Sequence, residues 1–168
     1  YAEKLYVSYP DELLHMVLGD NATVSSDQLV KDFLDVICAN YKLEEIIYSL
    51  TISDWQVYVR DIMINPVLDN VYSAIDRTKS TKGQSPDERY LAGEKLMNET
   101  KSSLGKIQQF ASKNDVRCQM LLDKLGTEIL QCGIDYYNGS DSPFAAKKAM
   151  VLQKYALSIV VGKMAKDR

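Results

Sequence analysis

The stretch GIDYYNGSDSPFAAKKAMVLQKYALSI, residues 133–159, decides how this chain is read. Polar and turn-forming residues, Asn138-Gly139-Ser140-Asp141-Ser142-Pro143, stand between two segments of helical periodicity. Asn138 and Gly139 suit a helix end, because both tolerate left-handed backbone. Ser142 suits the cap of the next helix, with Pro143 in its first turn. Upstream, Met120/Leu121, Leu125, Ile129 and Cys132/Gly133 recur at steps of three to four. Downstream, Ala145, Ala149, Leu152, Ala156, Ile159/Val160 and Met164 form one stripe. The stretch therefore reads as the turn of an antiparallel helical hairpin. Asn138-Gly-Ser140 also matches the glycan acceptor pattern, as do Asn21-Ala-Thr23 and Asn98-Glu-Thr100, but so short a pattern often arises by chance.

Outward from the hairpin the helical period continues. Asn114 or Asp115 is placed to cap the helix before the turn, and Ser85-Pro86-Asp87-Glu88 to start the one before that. Its apolar positions are Leu96, Leu104, Ile107 and Phe110. Residues 76–89, DRTKSTKGQSPDER, hold no apolar side chain and read as a linker. The chain is expected to be a single domain over 1–168, with subdomains 1–76 and 86–168 joined by the polar residues 77–85. Earlier still, Ser53 with Gln56 has capping-box spacing, and Pro66 is expected to kink or split that helix after Asn65. Ser25 or Ser26 opens a helix through Leu29, Val30, Phe33, Val36 and Ile37, and Pro10-Asp11-Glu12 opens the first. The expected fold class is all-α, with six or seven helices in antiparallel hairpins or an irregular bundle.

Composition agrees with that class. At 168 residues, 46% hydrophobic and 26% charged, the chain can bury a real core. Its 8 Gly and 4 Pro are too few for an all-β protein with many tight turns. No apolar run approaches the roughly 20 residues that span a bilayer. The chain begins at Tyr1 with no charged-then-apolar start, and it is expected to be a piece of a longer, intracellular, cytoplasmic protein. Three cysteines, Cys38, Cys118 and Cys132, make no disulfide framework and suit a reducing compartment. Residues 1–75 carry 12 acidic and 4 basic side chains, whereas residues 76–168 carry 11 acidic and 16 basic. The two parts either complement one another as ordinary solvated faces, or the basic part meets an acidic partner. The basic residues are scattered rather than blocked, so no nucleic acid is expected as partner.

The sequence carries no motif of a catalytic or metal site. His15 is the one histidine; Glu12-Leu-Leu-His15 has the spacing of a di-iron helix but no second copy. No Cys-x-x-Cys pair, no Gly-x-Ser-x-Gly and no phosphate-binding glycine motif is present. No catalytic residue, metal ligand or cofactor is assigned. Eleven tyrosines are present, most suited to put a ring in the core and a hydroxyl at its edge. Tyr136, Tyr137 and Tyr155 flank the hairpin and are the candidate partner-binding residues.

Gly133 and Tyr136 in the first hairpin helix, with Ala149 and Ala156 seven apart in the second, resemble the small and aromatic positions of a tetratricopeptide (TPR) helix pair. The turn is longer than that repeat's, Gln153 stands where an aromatic is expected, and Val161-Gly162 replaces a closing proline. No 34-residue period recurs. Three-helix domains of the MIT type share the same small-residue logic. Either resemblance implies a helical platform that binds a peptide or helix of another protein. The expected function is accordingly a protein-interaction or scaffold domain that docks a partner between its helices. The alternatives are a helical enzyme or small-ligand domain built on carboxylates and tyrosines, and a structural or oligomerising module.

Overall fold

The computed structural model describes residues 26–40, 42, 45, 46, 50, 53–111 and 115–162. Among the described residues there are five helices and no strand: α1 Ser26–Asn40, α2 Ser53–Lys79, α3 Pro86–Phe110, α4 Val116–Gly139 and α5 Ala145–Ile159. The all-α class stands, but among the described residues the helices number five rather than six or seven. One reason is Pro66, which does not split α2. A proline inside a helix removes a hydrogen bond and costs about 3 kcal/mol. Here Ile64, Val67, Leu68 and Val71 on both sides of it are buried, each contributing about 1.5–3 kcal/mol, so packing outweighs the missing bond. The expected helix at Pro10 lies outside the described residues.

Contacts divide the chain at Met63/Ile64. In the first unit, Leu34 of α1 meets Trp55 and Val59 of α2 and Ile46 between them. Phe33 packs its ring at 54° to Trp55, with centroids 6.1 Å apart. Tyr58 Oη donates to Asp35 Oδ1 at 3.0 Å. Gln56 donates to the Leu50 carbonyl at 2.6 Å.

The second unit holds the hairpin. α3, α4 and α5 pack against one another, with α4 in contact with both neighbours. The expected stripes are the buried ones: Leu96, Leu104, Ile107 and Phe110 of α3, Leu121, Leu125, Ile129 and Cys132 of α4, and Leu152 and Ala156 of α5. Both α3 and α4 begin as their sequences dictate. Ser85 Oγ accepts from the Glu88 N–H, while the Glu88 carboxylate accepts from the Ser85 N–H at 3.0 Å and its hydroxyl at 2.7 Å. The Ser85 hydroxyl and backbone bonds hold the Glu88 carboxyl below its usual value. Asp115 Oδ1 accepts from the N–H groups of Arg117 and Cys118, and the bond from the Arg117 side chain holds the Asp115 carboxyl below its usual value.

One charge cluster is buried in this unit. Arg89, in the first turn of α3, gives Nε to Asp135 at 2.8 Å, Nη2 to Glu128 at 2.7 Å, and Nη1 to the Thr78 carbonyl at 2.8 Å and Thr81 Oγ1 at 3.2 Å. The guanidinium thereby ties the end of α2 and the loop after it to both α3 and α4. A cation at a helix N-terminus opposes the helix dipole, so these partners are what hold it there. Burial opposes both charges, but the hydrogen bonds win: the Asp135 carboxyl is lowered by Arg89 and Gln131, and the guanidinium is raised by Asp135 and Glu128.

Candidate functional site: the outer groove of the terminal hairpin

α4 and α5 approach closely because both are small where they cross. Gly133 faces Ala149 and Gly126 faces Ala156, two pairs set seven residues apart on antiparallel helices. A Cβ at Gly133 would lie 3.2 Å from the Ala149 carbonyl oxygen, and one at Gly126 would lie 3.1 Å from that of Ala156. The hairpin's far end is held by Asp123, whose Oδ1 accepts from the N–H groups of Val161 and Gly162 at 2.8 and 2.9 Å.

The turn itself differs from expectation. α5 begins at Ala145, and Ser142-Pro143 forms a turn ahead of it: Ser142 Oγ accepts from the Phe144 N–H and its carbonyl from the Ala145 N–H. A hydroxyl that bonds two residues on closes a local turn rather than a helix end. α4 ends without a left-handed residue, since Gly83 alone among the described residues has positive φ. The chain leaves through an extended Ser140, whose N–H bonds the Tyr136 carbonyl. Gly139 is small for another reason: a Cβ there would meet the Pro86 ring at 2.7 Å.

Close approach leaves a groove of about 440 Å³ along the outer edge of the hairpin. From α4 it is lined by Leu130, Gly133, Ile134, Tyr137 and Asn138, and from α5 by Ala146, Ala149, Met150 and Gln153. Ile134, Tyr137 and Met150 are exposed, at 40%, 57% and 49%. Leu157 continues the α5 side one turn further and is also exposed. The groove is lined mainly by apolar side chains, with Asn138 and Gln153 polar among them, and it is open to solvent and about two helical turns long.

The three candidate tyrosines do not share one surface. Tyr137 lines the groove. Tyr136, its neighbour in sequence, points some 100° away and is 1% exposed. Its ring meets that of Tyr90 at 4.9 Å, and Lys148 Nζ lies over both rings, 5.3 and 5.6 Å from the centroids. Burial, with a bond from Tyr90 to Glu94, pushes the Tyr90 hydroxyl up to about 12. Tyr155 is half-buried towards α3, with its hydroxyl 3.5 Å from the Met97 carbonyl, and burial raises it too. Leu130, Ile134 and Met150 escape notice in the sequence, although Leu130, Ile134 and Tyr137 recur at helical spacing off the core stripe.

The Cys132 thiol is pushed up to about 12 by burial, so it is inert. Cys38, Cys118 and Cys132 are all unpaired with one another. Among the described residues no group of three or more His, Cys, Asp or Glu could hold a metal ion. Among them too, no helix is long and apolar enough to cross a membrane. No protein family, no curated protein and no solved structure matches the chain.

Proposed function

We propose that this chain is a protein-interaction domain whose α4–α5 hairpin docks a helix or peptide of another protein in its outer groove. The observation that carries this reading is the exposure of Ile134, Tyr137 and Met150 along one apolar edge that no described element covers. An aromatic and two long apolar side chains around a shallow groove are the composition that helix-in-groove recognition uses. The register of Gly133 with Ala149 and Gly126 with Ala156 supports a helix pair of the TPR or MIT kind, in which small residues bring the helices together and the flanking surface binds. Scaffold and peptide-binding roles follow from the same surface. Three cysteines with no disulfide among them support a reducing, cytoplasmic setting for it.

The test is selection of helical peptides on the intact chain, followed by binding to Ile134→Lys/Met150→Lys. Both positions are exposed, so the variant keeps its helical circular dichroism and melting temperature. Selected peptides are expected to lose at least about tenfold in affinity. Undiminished binding to the folded variant refutes the groove.

A further inference from the structure

The charges beside the groove name the chemistry of its occupant. Resting on the reading above, we propose that the groove takes an acidic amphipathic helix, one whose apolar face fills the groove and whose carboxylates flank that face seven residues apart. Lys147 and Lys154 are exposed and stand seven apart on α5, about 10 Å along its axis. At 100° per residue each projects beside the lining positions Ala146, Met150 and Gln153, on the solvent rim. Among the described residues neither lysine pairs with a carboxylate. Lys148, by contrast, is spent over the rings of Tyr90 and Tyr136.

The opposite rim adds no compensating charge. On α4 the positions beside the lining are Thr127 and Gln131, both neutral, and Asp135, one turn on from Gln131, is paired with Arg89. Asp123 lies on the same side of α4 but is bonded to the Val161 and Gly162 backbone, and Asp141 stands in the loop beyond α4. α5 itself carries no acidic residue. The groove is thus an apolar seam with two unpaired cations on one edge, at the spacing at which coiled-coil flanking positions meet their partners. A basic helix would place like charges there, and a neutral one would leave the lysines unanswered.

The experiment uses three fluorescein-labelled helical peptides with one apolar face and flanks of Glu, Gln or Lys, titrated with the whole chain and read by anisotropy. At about 0.1 M salt the Glu peptide is expected to bind about tenfold tighter than the Lys peptide. Towards about 1 M salt, where the Debye length falls to about 3 Å, the gap should close. Lys147→Glu/Lys154→Glu is expected to invert the order, and the milder Lys147→Gln/Lys154→Gln to erase it. Equal binding of all three peptides, lost in Ile134→Lys/Met150→Lys, overturns the acidic partner and leaves the groove standing. Binding of none of them overturns both. A dimer in light scattering that Met150→Lys dissociates gives the groove to a second copy of the chain and overturns the proposal too.

Discussion

The two sides of α4 are sealed in different ways. Towards α3 it presents Glu128 and Asp135, which close on Arg89 until every buried polar side-chain atom among the described residues has a partner. Towards α5 it presents Gly126 and Gly133, and the seam is closed by close approach at these small residues, with Asp123 bonding the Val161 and Gly162 backbone at its far end. The first side uses specific, directional bonds and leaves nothing over. The second leaves an open apolar edge, because helices drawn so close expose the shoulders of their own side chains. The groove proposed to take another molecule lies on the side that is sealed without buried charge.

That contrast can be broken from either side. The largest effect should come from Arg89→Met, which leaves Glu128 buried and unpaired; about 3–5 kcal/mol of stability should be lost in urea unfolding. Replacing Glu128 and Asp135 by apolar residues in the same chain should return most of it, since a buried pair exchanged whole for apolar groups is often neutral. If the triple variant is as unstable as the single, the cluster is not held together by its charges.

On the other side, Gly126→Ala puts a methyl against the Ala156 carbonyl and Val160, and should cost about 1–3 kcal/mol. At Gly105 of α3 a Cβ would meet nothing within 4 Å, and Gly105→Ala should stabilise by about 0.4–1 kcal/mol. Opposite signs from one substitution on two helices isolate close approach from helix propensity.

Acid should loosen the polar side. The Asp135 carboxyl titrates below its usual value in the folded protein, so between the two values the unfolded chain binds the proton better. Its contribution is present above about pH 4, the ordinary carboxylate value, and is lost as pH falls through the folded one. Melting temperatures of the wild type and Asp135→Asn should converge on acidification; a constant gap would show that the pair with Arg89 does not govern this titration.

Asp115→Ala uncaps α4 and should cost about 1 kcal/mol. Smallest of all, Met150→Lys should change stability by no more than about 0.5 kcal/mol, as its side chain is exposed. A large loss there would make the groove part of the core.

The local devices were legible in the sequence because they act within a few residues: the Ser85 cap and the Gly133, Ala149 and Ala156 positions are where their spacing put them, and of Asn114 and Asp115 it is Asp115 that caps α4. Pro66, expected to kink or split its helix, does not split it, because a local cost of about 3 kcal/mol lost to burial that only the folded chain reveals. Arg89 lay in a stretch with no apolar residue that read as a linker, and its partners Glu128 and Asp135 lie 39 and 46 residues away in sequence, beyond the reach of local patterns. Tyr136 and Tyr137 could not be told apart, since one residue of rotation separates a core ring from a surface one.

Whether the α4–α5 edge binds another helix can be read residue by residue from chemical-shift mapping of the 15N-labelled chain. On titration with the Glu-flanked peptide, shifts are expected at Leu130, Ile134, Tyr137, Met150 and Gln153, with the amides around Leu96 and Arg89 unmoved. Saturable shifts centred on α3, or none along the hairpin's outer edge, would contradict that role.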